Sequence, residues 1–275
     1  MLALYHYFGY DLPAKERFSL IKAAGFEAVG LFRDYWNGRT DFREYADLAR
    51  AVGVEVIDGH APFIREYDIV NSLWLDNQDG ETTYETYLRT INECAEDGVK
   101  NLILHVMDDF GGKYAPPPNK LGLDRIKRLV DAASKHNVTI ALENITRHET
   151  YLPYIFERID SPNLGFCYDA GHRNCNEPDV NFLSLYGDKL VAVHLHDNNG
   201  LGDPDPHLVP FEGNINWQEE MAQIAATGYT GPTTLECTTG SQGSAEAAGS
   251  RTAEEWLHDT FLAAKRLDAM RMSEE

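Results

Sequence analysis

Repetition constrains this chain more than any other feature: short apolar runs of strand character alternate eight times with longer segments of helical periodicity. The strand-like runs fall at residues 2–8, 28–32, 54–60, 101–107, 139–144, 164–169, 190–197 and 233–237. The helical stretches fall at 14–24, 42–52, 82–97, 121–136, 150–158, 180–186, 217–227 and 253–270. Such alternation calls for parallel strands joined by crossover helices. Gly25, Gly53, Gly98 and Gly228 each stand just past a helical stretch, where a left-handed residue closes a helix before the next strand. Eight units within 275 residues, with no long linker, predict a single closed (β/α)8 barrel spanning residues 1–275. An open doubly wound sheet is the competing arrangement.

Composition narrows the setting. With 43% hydrophobic and 25% charged residues the chain reads as an ordinary globular protein. No run approaches the roughly 18 apolar residues of a membrane helix. The N-terminus MLALYHYFGYDLP has no basic segment before its apolar one, so it reads as a first strand and the expected location is cytoplasmic, away from membranes. Cys94, Cys167, Cys175 and Cys237 form no C-x-x-C pair and are expected to be reduced thiols. Lys and Arg number 24 against 44 Asp and Glu, a formal net charge of −20 that repels a phosphate polyanion and argues against a nucleic-acid partner.

A barrel of this kind builds its active site from the C-terminal ends of its strands, so the polar residues there matter most. Strand three ends in His60, strand four in His105, strand five in Glu143-Asn144, and strand six in Asp169, with His172 close behind. Strand seven ends in His194-Leu195-His196-Asp197 and strand eight in Glu236. Residues two apart on a strand share a face, so the outward set Val191, Val193 and Leu195 leaves His194 and His196 toward the barrel axis. The same parity turns Glu143 inward with Ala141, and Glu236 inward with Thr234.

A lone buried His or Glu is most often structural. Several carboxylates and imidazoles in one partly buried space, however, require protons or a cation to neutralise them. A divalent metal is the expected cofactor; the ligand types suit Mn, Zn, Co, Mg or Fe without choosing among them.

These residues resemble the xylose-isomerase-like TIM-barrel family, which includes sugar isomerases and epimerases, inosose dehydratases and endonuclease IV. The resemblance runs from the first strand to the last helix. Its carriers are GHAPF at 59–63, ILH at 103–105, LEN at 142–144, DAGH at 169–172, HLHDN at 194–198, DPHLVPFEGNINW at 205–217 and LE at 235–236. Similarity to the ketose 3-epimerase branch implies a metal held by Glu143, Asp169, His194 and Glu236. His194 is preferred to His196 because the family's ligand lies three residues before an acidic residue, here Asp197. The same branch implies substrate contacts from Glu149 and His172; His60, His105, His196 and His207 join that set as hydroxyl-binding residues. The Arg that follows strand seven in that branch is absent here, Gly200 falling near its place. Similarity to endonuclease IV implies a larger metal set that adds His60, His105, Asp205 and His207, with Asp205 and His207 as ligands of an additional ion.

The resemblance therefore implies a metal-dependent sugar isomerase or epimerase. Glu143 and Glu236 would move a proton next to a carbonyl through an enediolate. The substrate is a small carbohydrate, and a homo-oligomer fits the fold by analogy. The alternatives are a lyase or dehydratase on a polyol or keto-sugar, an endonuclease IV-like phosphodiesterase on abasic DNA, and a non-catalytic binding barrel or a lyase subunit that works only with a partner protein. Around the strand tops, Tyr7, Phe8, Phe32, Trp36, Phe63 and Trp74 are candidates for a sugar-facing wall or for core caps. Arg33, Arg65, Lys113, Asn144, Arg147 and Asn198 are candidate hydroxyl or phosphate contacts.

Overall fold

A computed structural model describes residues 1–33, 42–63, 68–109, 114–239 and 251–272. Its strands are β1 (Leu2–Tyr5), β2 (Ala28–Phe32), β3 (Glu55–His60), β4 (Asn101–Leu104), β5 (Thr139–Glu143), β6 (Leu164–Asp169), β7 (Leu190–His194) and β8 (Thr233–Leu235). The helices are α1 (Ala14–Ala24), α2 (Phe42–Ala51), α3 (Ile69–Ser72), α4 (Gln78–Glu96), α5 (Lys120–Lys135), α6 (Tyr151–Phe156), α7 (Ala170–Asn176), α8 (Phe182–Tyr186), α9 (Trp217–Ala226) and α10 (Ala253–Met272). All strand pairs are parallel, in the order β7-β6-β5-β4-β3-β2-β1-β8. A parallel bridge between Leu195 and Leu235 joins the two ends, so the sheet closes as a (β/α)8 barrel.

The punctuation works as its chemistry requires. Gly25, Gly53, Gly98 and Gly228 carry φ of 113°, 75°, 68° and 79°, a region that β-carbon sterics make costly for other residues. Asn77, Asn119 and Asn216 cap α4, α5 and α9 by accepting from Gly80, Gly122 and Glu219 backbone N–H groups, each cap being worth about 1 kcal/mol.

Strand parity sorts the core into two parts. Ile103, Ala141, Cys167 and Ala192 form a small apolar group of their own, each two residues before a strand-end residue: His105, Glu143, Asp169 and His194. Leu102, Leu104, Ile140, Leu142, Val193 and Leu195 point the other way, into the large cluster that contains helix residues such as Ile126, Leu129 and Ile224. Val191 departs from the expected outward set. In the β6–β7 register Phe166 faces Leu190 and Cys167 faces Ala192, so Val191 is the extra residue of a bulge and packs on the inner group.

Five strands end earlier than their apolar runs: β1 at Tyr5, β4 at Leu104, β5 at Glu143, β7 at His194 and β8 at Leu235. Beyond those points the backbone groups pair with loops instead. Asp197 exchanges hydrogen bonds with Leu208, and Thr238 N–H donates to the His207 carbonyl. Helices α3 and α7 were not expected as separate elements. Helix α6 is shorter than the predicted 150–158, and α8 starts two residues after the predicted position 180.

Candidate metal centre

Four consecutive strand ends deliver the centre. Glu143, Asp169, His194 and Glu236 are all buried, and one ligand atom from each lies within 4.8 Å of the other three. His194 Nδ1 stands 2.9 Å from Glu143 Oε1, 2.9 Å from Glu236 Oε2 and 3.9 Å from Asp169 Oδ2. Two ligands each about 2.1 Å from one ion lie at most about 4.2 Å apart, so this spread is close to what a shared divalent cation needs.

Glu143 uses its second oxygen elsewhere. Oε2 is 2.9 Å from His105 Nε2 and 3.3 Å from His60 Nε2, and His60, His105 and Glu143 form another group able to hold an ion. A third group joins His172, His196, Asp205 and His207. His172 Nε2 and His207 Nε2 both lie 3.3 Å from Asp205 Oδ2, while His196 Nε2 lies 3.1 Å from Asp169 Oδ1. The His196 and His207 rings stack with centroids 3.8 Å apart. His196 Nδ1 is buried without a hydrogen-bond partner among the described residues, 3.6 Å from Asp205 Oδ1.

Charge state follows from this packing. Burial alone would raise the Glu143 carboxyl, but His194 and His105 outweigh it and hold it well below the usual carboxylate range. The same contest, won by His194, brings Glu236 down to about 2. Burial opposes charge on His207, yet Asp205 lifts its imidazole to about 9. Burial also opposes charge on His172, and Asp169 and Asp205 overcome it, raising that ring well above its ordinary value. Buried carboxylates this ionised are tolerated here because imidazoles lend them protons, the role a cation would take over. The donor set therefore fits a divalent metal.

Supporting contacts explain how the ligands are aimed. Asn144 accepts from the Asp169 backbone N–H and donates to its carbonyl, both at 2.8 Å, tying β5 to β6. Asp197 accepts from Asn198 N–H at 3.0 Å, Phe211 N–H at 2.9 Å, Ile215 N–H at 3.1 Å and Trp217 Nε1–H at 2.8 Å. That anchors the segment carrying Asp205 and His207. Asn198 donates to the Gly171 carbonyl and to Asp205 Oδ1. Asn144 and Asn198, expected as hydroxyl contacts, thus spend their amides on the protein itself.

Other expected residues lie elsewhere. The Glu149 side chain is 87% exposed beside His148 and belongs to none of the groups able to hold an ion among the described residues. Arg33 is buried in an ion pair with Asp97 at 2.7 Å, and Arg147 pairs with Asp109 at 3.1 Å. Phe8 stacks on Trp256 and Trp74 packs on Tyr151, so both cap the core. Tyr7 is exposed. Phe32 and Phe63 do reach the site, with ring centroids 5.6 and 5.0 Å from His60. Trp36, Arg65 and Lys113 lie outside the described residues. Two residues were missed by sequence reading, Tyr5 and Asp197 as the anchor of its loop. The signal for Tyr5 was its parity with Ala3 against the outward Leu2 and Leu4.

Fold and site together define a (β/α)8 barrel whose strand ends converge a carboxylate and imidazole set able to hold a divalent cation. The chain belongs to the xylose isomerase-like TIM barrel family, whose profile matches residues 18–260. An uncharacterized protein of Sinorhizobium fredii is 33% identical over 191 residues, 65% of this chain and 60% of that protein. The chain thus matches about three fifths of that relative's length. The fructoselysine 3-epimerase of Shigella flexneri is 27% identical over 137 residues, 46% of this chain and 49% of that enzyme. Among solved structures, the D-psicose 3-epimerase of Clostridium cellulolyticum H10 superposes with a TM-score of 0.76 over 99% of this chain and 100% of that one, at 15% identity. No helix among the described residues is long and apolar enough to cross a membrane.

Proposed function

We propose that this protein is a divalent-metal-dependent isomerase or epimerase of a small sugar or sugar derivative, acting by proton transfer at a carbon next to a carbonyl. The observation that carries the reading is the placement of Glu143 and Glu236, each 2.9 Å from the same nitrogen of His194. Two carboxylates held low by their imidazole neighbours are ionised at neutral pH, as a base must be. Asp169 and His194 complete the set that would hold the metal. When bound, the cation would polarise a substrate carbonyl and stabilise developing oxyanion charge.

Glu143 and Glu236 then divide the work: one carboxylate removes the proton and keeps it, leaving an enediolate, and the other delivers a proton that it has first taken up from solvent. Return to the opposite face epimerises the carbon, and return to the neighbouring carbon isomerises the sugar. His60 and His105, both on Glu143 Oε2, orient that carboxylate. Phe32 and Phe63 lie against His60, where they can cover an apolar sugar face. The epimerase names among the relatives and solved structures support the substrate class. The test is solvent deuterium exchange into a panel of ketoses by the purified chain with Mn2+, Co2+, Mg2+ or Zn2+ added. Exchange lost in both Glu143→Gln and Glu236→Gln supports the assignment, and full activity in both ends it.

A second reading is a phosphodiesterase with several metals, favoured by the additional groups around Asp205 and around His60 and His105. Against it stands the net charge of −20. Close to three metals per chain together with cleavage of abasic DNA would establish it; one metal and no DNA binding at low salt would exclude it.

A further inference from the structure

Tyr5 closes β1 without belonging to any of the ligand groups, yet its hydroxyl meets the His194 nitrogen that is turned away from Glu143 and Glu236. Its hydroxyl lies 3.0 Å from His194 Nε2, while Nδ1 of the same ring faces Glu143 and Glu236 at 2.9 Å each. Both atoms of the Tyr5–His194 pair are buried. The other imidazoles of the site are aimed differently. His60, His172 and His207 donate Nδ1–H to the backbone carbonyls of Ala61, Asn144 and Glu236 at 2.8, 3.1 and 2.7 Å. Those bonds leave Nε2 toward the carboxylates. His194 has the opposite orientation, and Tyr5 occupies the place that a carbonyl takes for those three.

A metal-ligating imidazole carries its proton on the nitrogen away from the ion, and the acceptor of that proton fixes both tautomer and ring angle. We propose that Tyr5 is the positioning residue of the metal centre: its hydroxyl accepts the Nε2–H of His194 and thereby directs the Nδ1 lone pair toward Glu143, Asp169 and Glu236. The inference rests on the metal-centre reading given above. A hydroxyl suits the task because it both accepts and donates, so it can partner Nε2 whether or not that nitrogen carries the proton.

The surrounding packing is shaped for this ring. A side chain at Gly30, on the neighbouring strand, would place its β-carbon 2.7 Å from Tyr5 ring atoms. The His194 ring meets Tyr5 edge-on at 4.9 Å, and Phe32 closes the other side at 4.6 Å.

Tyr5→Phe keeps the ring and its packing and removes only the acceptor. Competition of the full chain against a chromophoric chelator should show Zn2+ affinity weakened about 10–100-fold, with the metal-free variant still melting as a cooperatively folded protein. Nitrogen-15 spectra of the Zn2+-loaded wild-type chain should show His194 protonated at Nε2 and ligated through Nδ1. Affinity in Tyr5→Phe equal to wild type overturns the proposal, as do spectra that place the metal on Nε2. If the variant fails to fold, the wild-type spectra decide. A wild-type chain that binds no Zn2+ ends the metal-centre reading and this inference together, whereas binding that is indifferent to Tyr5 ends this inference alone.

Discussion

The centre built from Glu143, Asp169, His194 and Glu236 and the neighbouring group of His172, His196, Asp205 and His207 use the same chemistry on different supports. Every residue of the first sits on or one residue past a barrel strand, and all are buried. The second takes Asp205 and His207 from the segment between β7 and α9, where both residues hold left-handed backbone angles, φ 59° and 52°. His207 is 23% exposed at its side chain. The hydrogen-bonded barrel aims the first group directly. The second is aimed by a loop that depends on Asp197, so its geometry can change without disturbing the strands. Asp169 touches both groups, through His194 at 3.9 Å and His196 at 3.1 Å, so they are not independent.

Removing a strand-end carboxylate should break this comparison most severely. Glu143→Gln or Glu236→Gln is expected to lower deuterium exchange by about 10²–10⁴-fold. A folded variant with unchanged exchange would place the chemistry in the other group. Stripping the metal with a chelator comes next. A ligand at about 1,000 times its Kd stabilises by about 4 kcal/mol, which raises the melting temperature on the order of 8 °C or more. Calorimetry of chelated and reloaded protein reads this directly, and no shift would show that the strand-end centre holds no ion.

A smaller effect separates the supports. Asp197→Asn turns an amide donor toward backbone N–H groups, at a cost of about 1–3 kcal/mol. Metal titration should then show any ion held by Asp205 and His207 weakened while the four-residue centre keeps its affinity. Equal losses at both would show that the loop also supports the first group.

The smallest expected change is one of pH. Asp205 raises His207 from 6.5 to about 9 in the folded protein. In the metal-free chain that pair contributes stability fully present below pH 6.5 and lost as pH rises through 9, at most on the order of 3 kcal/mol and less with solvent screening. Melting curves from pH 6 to pH 10 should fall in the wild type and flatten in His207→Asn. At the four-residue centre, Glu236 is held at about 2, so its contribution persists until strongly acid pH.

Much of the architecture could be read directly. Apolar periodicity located all eight strands and the main crossover helices, because burial against a sheet or helix imposes its period on the residues themselves. Inward parity alone brings Glu143, His194 and Glu236 to one face, and the four helix-closing glycines are legible because left-handed backbone excludes most side chains. Val191 defeated the same parity argument, since a bulge adds one residue to a strand and leaves no mark in the hydrophobic pattern. The resemblance implied a substrate contact from Glu149, six residues after Glu143, but position along an irregular segment does not set direction, and its side chain points to solvent.

Local preference in the chain is therefore enough to specify a (β/α)8 barrel and the strand ends where its polar residues gather. It could not show that Glu143 splits its two oxygens between His194 and the pair His60 and His105, that Tyr5 meets the back of His194, or that Asn144, Asp197 and Asn198 serve the backbone. Those contacts join residues 25 to 189 positions apart or close within an irregular loop. Periodicity says which face a side chain takes, but which atom it meets there depends on the closure of the sheet and the path of each loop, quantities that exist only once the chain has folded.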